Sequence, residues 1–331
     1  MCNKETEIKI LKSKYISDKI INTNKGGDKV GDVVLECNNL YKKFGKRLII
    51  KDISTKLESG DILGFIGPNG AGKTTTIKLM LGLQGIDKGT VKINGYDIKK
   101  DFEKAIERVG AIVENPDLYM YLSGYKNLQL IANLYKGIDK ARIDEVVKLV
   151  GLESRINDKV SKYSLGMRQR LGIAQAIIHR PNILILDEPT NGLDPEGIKE
   201  LRELIQKLAK EENMAVLISS HNLAELDNFC TKICIIKNGE VLDTKDIKEL
   251  KEEANKNKVL FRVNDTSKIS ELFDTATILN NNEFEISGSD QETAEIVKKL
   301  VKNEIDIYSV KEEAITLEEA FLKKTGGNKI V

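Results

Sequence analysis

The chain has 331 residues, enough for two domains or for one large domain with an appendage. Its 52 Lys and Arg stand against 51 Asp and Glu, and this net charge of +1 gives no electrostatic reason to expect nucleic acid as a partner. An apolar fraction of 40% excludes a disordered chain. No run approaches the roughly 18 apolar residues of a membrane-spanning helix, and the opening MCNKETEIKI lacks the apolar stretch of a secretion signal, so a cytoplasmic location is expected. Cys2, Cys37, Cys230 and Cys234 show no CxxC pairing and read as reduced thiols, and with His179 and His221 as the only histidines a His-rich metal site is excluded.

In chain order, residues 1–31 form a Lys-rich extension ending in a KGGDKVGD linker. Ile8, Leu11, Tyr15 and Ile16 fall at helical spacing, but a flexible tail is the expectation, with a weak membrane-surface or partner contact as the sharper reading. From Val33, VVLEC, LIIKDISTKL and DILGFIG read as short strands, a Gly-rich loop follows, and Thr74–Leu83 reads as a helix. GTVKINGYDI places an Asn-Gly turn between two strands. Between 117 and 180 the pattern is helical, best at Asn127–Tyr135, Lys140–Val150 and Met167–His179, with His179 expected to pack or to cap a helix end. NILILDE and AVLISS are apolar runs suited to buried parallel strands, with a helix over Glu196–Glu211 between them. Asn222–Phe229 reads as helical and KICIIKNGEVL as a hairpin at Asn238-Gly239. Beyond 246, capping boxes at Ser289/Glu292 and Thr316/Glu319 alternate with strand-like KVLFRV, NEFEIS and IDIYSV, the pattern of a small α+β appendage.

The chemistry concentrates in two elements. Gly67-Pro68-Asn69-Gly70-Ala71-Gly72-Lys73-Thr74 matches GxxxxGK[ST], follows an apolar strand and opens a helix. Its glycines let backbone N–H groups turn toward phosphate oxygens, Lys73 reaches the β- and γ-phosphates, and the Thr74 hydroxyl is a magnesium ligand. ILILDE ends in Asp187 and Glu188, whose strand spacing sends them to opposite sides: Asp187 toward a Mg²⁺ shell, Glu188 as general base for an attacking water.

Between these elements lies Tyr163-Ser164-Leu165-Gly166-Met167-Arg168-Gln169-Arg170, and downstream come Asn191-Gly192-Leu193-Asp194 and His221 directly after a strand. This order over about 33–245 resembles the nucleotide-binding subunit of ATP-binding cassette (ABC) transporters. The resemblance implies an α/β fold: a P-loop NTPase core with an antiparallel β subdomain and a helical subdomain at about 115–180, spanning 32–245, followed by the α+β appendage at 246–331. It implies that ATP is held by residues 67–75, including Thr75, with Phe44 stacking on adenine. Ser164 and Gly166 would contact the γ-phosphate of the nucleotide on the other subunit, Asp194 would communicate between the two sites, and His221 would contact the γ-phosphate. The implied partners are a second copy, forming a homodimer of nucleotide-binding domains, and a separate integral membrane permease, reached through residues such as Tyr119, Tyr121 and Leu122. The working location is then the cytoplasmic face of the plasma membrane.

Two departures from the family pattern stand out. The signature reads SLGMR, and Glu114 occupies the position usually held by a glutamine that binds Mg²⁺. Both resemble the exporters that protect bacteria against bacitracin and lantibiotics, and the tail ITLEEAFLKKTGG resembles the ending of ABC-2-type exporter ATPases. The alternative is a soluble ABC ATPase of translation or DNA repair, disfavoured by a single phosphate loop and no long coiled-coil insertion. A non-catalytic ATP-binding regulator would lack Glu188 or His221.

Overall fold

The computed structural model describes residues 31–226, 230–249 and 258–313. The N-terminal extension before residue 31, the far end of the expected 222–229 helix, the capping box at Thr316 and the 315–327 tail lie outside the described residues. The chain divides into two units, the first ending at Thr244 and the second beginning at Lys245.

The first unit has the expected α/β architecture. Strands β1 (Val33–Phe44), β2 (Arg47–Glu58), β4 (Lys88–Ile93) and β5 (Tyr96–Asp97) form an antiparallel sheet in the order β2-β1-β4-β5. β3 (Ile62–Ile66), β6 (Val109–Ile112), β7 (Ile183–Asp187), β8 (Ala215–Ser220), β9 (Lys232–Lys237) and β10 (Glu240–Asp246) form the second sheet in the order β10-β9-β3-β8-β7-β6. Its neighbours from β9 to β6 pair in parallel. Every residue of β3, β7 and β8 is buried, which is why these segments read as unbroken apolar runs rather than alternating ones. One apolar cluster joins the sheets, with Leu35, Ile53 and Val91 from the first meeting Phe65, Ile185 and Leu217 from the second. Both Asn-Gly pairs turn with positive φ at each residue, 52° and 79° at Asn94-Gly95, 52° and 80° at Asn238-Gly239, as two-residue hairpin turns require.

Helix α1 (Lys73–Met80) is shorter than the sequence pattern suggests. Gly82, at φ 65°, takes the left-handed position just past the helix end and turns the chain before Leu83. Helix α2 (Phe102–Ile106) and strand β6 carry no pattern signal, being five and four residues long. In the helical region, α3 (Gly124–Ala132), α4 (Lys140–Leu149) and α5 (Leu165–Ile177) are capped by Ser123, Asp139 and Ser164, whose side chains accept from the backbone N–H three residues on. These caps start α3 and α5 a few residues earlier than the apolar periodicity does. The buried Asn127 side chain accepts from Tyr119 N (2.8 Å) and donates to Tyr119 O (3.1 Å) and Ser123 O (2.9 Å), pinning a loop that exposes Tyr119 and Tyr121. Helix α6 (Pro195–Glu211) has Asp194 as N-cap with proline at its first turn, and α7 is described over Leu223–Leu226. Cys37, Cys230 and Cys234 are free and buried, and burial raises the pKa of each thiol.

The second unit is an antiparallel sheet of β11 (Lys258–Val263), β12 (Thr277–Asn280), β13 (Glu283–Ser287) and β14 (Ile307–Glu313), in the order β12-β13-β11-β14. Helices α8 (Ile269–Leu272) and α9 (Asp290–Lys302) contribute Ile269, Ile296 and Leu300 to a core centred on Phe261 and Phe284, which stack with ring centroids 5.0 Å apart. Ser289 and Glu292 form the expected reciprocal capping box at the start of α9. Strand β12 and helix α8 are four residues each and were not legible in the pattern.

Candidate active site

The loop 67–72 leaves β3 and wraps onto the start of α1. A Cβ on Gly67 would stand 2.1 Å from the Ile236 carbonyl oxygen, so only glycine lets the loop pass β9. Gly72, at φ 107°, is the N-cap of α1 and offers no side-chain acceptor. The N–H groups of Lys73, Thr74 and Thr75 precede the first helical bond, Thr76 N to Gly72 O at 2.8 Å, and are left for an anion. Gly67, Ala71 and Gly72 are buried, Pro68 is half-buried, and Asn69 and Gly70 form the exposed tip. The Asn238-Gly239 turn braces the loop, since Gly239 N donates to Ala71 O (2.9 Å) and Gly239 O accepts from Lys51 N (2.6 Å).

Lys73 is 4% exposed. Its ammonium donates to Gly67 O (2.7 Å) and Pro68 O (3.4 Å) and lies 3.0 Å from Glu188 Oε1. The other oxygen of that carboxylate accepts from Asn191 Nδ2 at 2.8 Å and lies 2.8 Å from His221 Nδ1. Burial raises the Glu188 pKa, but the hydrogen bonds from His221, Lys73 and Asn191 outweigh it and hold this carboxyl below the usual carboxylate range. Glu188 is therefore ionised at neutral pH.

Asp187 and Glu188 do part, but strand alternation is not the reason. β7 ends at Asp187, and Glu188 sits at φ 48°, a left-handed position that takes it out of the strand. Ser219 on β8 fixes the split: its hydroxyl donates to Asp187 Oδ1 (2.6 Å) and accepts from Glu188 N (2.8 Å). Ser219 was read only as part of a buried strand; a hydroxyl inside an apolar run was the available signal.

The remaining residues lie apart from this cluster. Phe44 ends β1, 45% exposed, with Lys42 Nζ 5.4 Å from its ring centroid. Ser164 and Asp194 each cap a helix, accepting from Met167 N (3.2 Å) and Gly197 N (2.9 Å). Their loops are neighbours, since a Cβ on Gly166 would lie 3.8 Å from Leu193 and one on Gly192 3.0 Å from Leu165. Among the described residues, no hydrogen bond or ion pair joins either cap to Lys73, Glu188 or His221. Glu114, at φ 70°, pairs with Lys78 of α1 at 2.8 Å. His179 stacks on Tyr135.

No group of three or more His, Cys, Asp or Glu among the described residues makes a metal cage. Thr74 is half-buried and Asp187 buried; a hydroxyl and a carboxylate are the hard oxygen donors that would suit Mg²⁺.

The ABC transporter family model matches residues 50–191. Over 297 residues the chain is 48% identical to the uncharacterized ABC transporter ATP-binding protein YhcH of Bacillus subtilis (strain 168), covering 89% of this chain and 97% of that one. It is 38% identical over 303 residues to the bacitracin transport ATP-binding protein BcrA of Bacillus licheniformis, covering 90% and 99%. Among solved structures, the dimeric post-hydrolysis state of the ATP-binding cassette MJ0796 bound to ADP and Pi is similar at a TM-score of 0.58 and 25% identity, over 64% of this chain and 98% of that chain.

Proposed function

The chain belongs to the ABC transporter ATP-binding family and is an ATPase subunit that energises a separate permease; from that premise we propose that it drives export of bacitracin-like antimicrobial peptides. The cargo rests on the likeness to BcrA over nearly the whole of both chains. The residue roles rest on one observation: the two oxygens of the Glu188 carboxylate are held by Lys73 and by His221, 3.0 and 2.8 Å away. A phosphate-binding lysine, a carboxylate and an imidazole in one cluster are the parts that ATP hydrolysis requires.

In this reading ATP lies along residues 67–75, with Lys73 and the free N–H groups of α1 on its phosphates and Phe44 against adenine. Glu188, ionised, takes the proton of the attacking water, and His221 holds the γ-phosphate. Thr74 and Asp187 hold Mg²⁺, which neutralises phosphate charge when bound. Glu114 would add a further carboxylate to that region. Two copies pair so that Ser164 and Gly166 of one complete the site of the other, with Asp194 beside them. The dimeric state of MJ0796 supports this arrangement. The permease holds the pair at the cytoplasmic membrane face; among the described residues no helix is long and apolar enough to cross a membrane.

Glu188→Gln tests the reading. The variant should bind ATP and lose at least about a hundredfold in turnover, and cells carrying it in place of the wild-type chain should lose bacitracin resistance. Wild-type turnover would refute the base, and undiminished bacitracin resistance with turnover abolished would refute the cargo.

A further inference from the structure

We propose that Glu225 is the positioning residue that sets His221 against Glu188, an inference that rests on the roles given to those two residues above. Glu225 lies on helix α7 and takes no part in the constellation that the motifs pick out. Its Oε2 accepts from the Thr190 hydroxyl at 2.6 Å, and Ser220 Oγ lies 3.3 Å from the same oxygen. Its Oε1 accepts from Asn222 Nδ2 at 3.2 Å.

These donors come from two segments. Thr190 stands two residues beyond Glu188, on the loop leaving β7. Ser220, the last residue of β8, and Asn222, on the loop that follows, flank His221. The carboxylate thus ties together the two segments that carry the base and the imidazole, and the 2.8 Å contact between Glu188 and His221 closes the ring. Thr190 and Ser220 are 5% and 2% exposed, so the tie is shielded from water, where a charge-assisted hydrogen bond counts for most. His221 itself is half exposed, with Glu188 as its side-chain contact. Leu223 and Leu226 anchor α7 by burial, but an apolar anchor does not fix the azimuth of a ring two residues away.

Glu225→Gln keeps the shape but removes the charge, so the charge-assisted contacts to Thr190 and Asn222 become weaker neutral ones and the Thr190 hydroxyl must turn from donor to acceptor where the NH₂ faces it. In the full-length chain, kcat should fall about tenfold or more, because a small misplacement of a catalytic group is enough for that. The KM for ATP and the affinity for a fluorescent ATP analogue should stay within about twofold, because the loop at 67–75 is untouched. Thr190→Val, which removes one hydroxyl at constant shape, should show a smaller loss of the same kind and covers the case in which Glu225→Gln folds poorly. In a His221→Ala background, measured by single-turnover hydrolysis, Glu225→Gln should add less than about twofold. Undiminished kcat, a parallel loss of ATP affinity, or a full additional loss in the His221→Ala background would each overturn the proposal. If His221→Ala alone turned over at the wild-type rate, the assignment of His221 would fall and this inference with it. If His221→Ala lost activity and Glu225→Gln did not, this inference alone would fall.

Discussion

His179 stacks face to face on Tyr135, ring centroids 4.6 Å apart and planes 5° from parallel. Burial lowers its pKa from the usual 6.5 to about 4, against a hydrogen bond with the Val109 backbone that favours the charged form. The unfolded chain therefore takes up a proton below pH 6.5 that the folded chain refuses until about pH 4. This contribution to stability is complete above pH 6.5 and is lost as pH falls toward 4, on the order of 2–3 kcal/mol. His179→Phe keeps a ring against Tyr135 and should flatten that part of the urea-midpoint profile between pH 7 and 4; an unchanged slope would show that His179 is protonated in the folded state. At this scale the sequence was legible where chemistry is written in local spacing. Lys73 and Glu188 were legible because each sits at a fixed offset in a short motif, and His221 through the family resemblance. The left-handed turn at Glu188 and the double hydrogen bond of Ser219 were not, because both depend on β7 lying beside β8, a pairing between residues 31 and 32 positions apart.

At the scale of elements, the Asn238-Gly239 turn has two duties, closing the β9–β10 hairpin and bracing the phosphate loop. A Cβ on Gly239 would stand 1.9 Å from the Ile49 carbonyl oxygen, at φ 80°. Gly45, at φ 57° in the β1–β2 turn, has nothing within 4 Å of that position. Gly45→Ala should cost about 1 kcal/mol, the price of the backbone conformation alone. Gly239→Ala should cost at least about 2 kcal/mol more and weaken ATP binding, because β2 or Ala71 must shift to make room. Urea denaturation and ATP titration of the two variants measure both differences; equal losses would show that β2 yields freely. Elements were legible in proportion to their length and burial. β7 and β8 announced themselves as apolar runs, and both Asn-Gly hairpins by their turn residues. β6, β12, α2 and α8 are at most five residues long and owe their form to a neighbour already in place.

At the scale of the whole molecule, one chain carries one phosphate loop and one Ser164 cap that do not meet. If a site is completed only by a second copy, ATP should shift Glu188→Gln from monomer to a species of twice the mass in sedimentation, and Ser164→Arg should abolish the shift while leaving ATP binding to the monomer intact. A Glu188→Gln chain that stays monomeric with ATP bound would refute the pairing. The division near 245 was visible as a change of character along the sequence, but which face of either unit meets a partner is written in no local pattern.

The pairing of Lys73 with Glu188 means that this protein carries its own counter-anion at the nucleotide site. On the roles proposed above, ATP competes for a lysine that already contacts two carbonyls and a carboxylate. Binding is then an exchange of anions, and the carboxylate displaced from Lys73 is the one assigned to receive the proton of water. The same event that seats the γ-phosphate frees its base, so arming of the site follows from occupancy instead of preceding it.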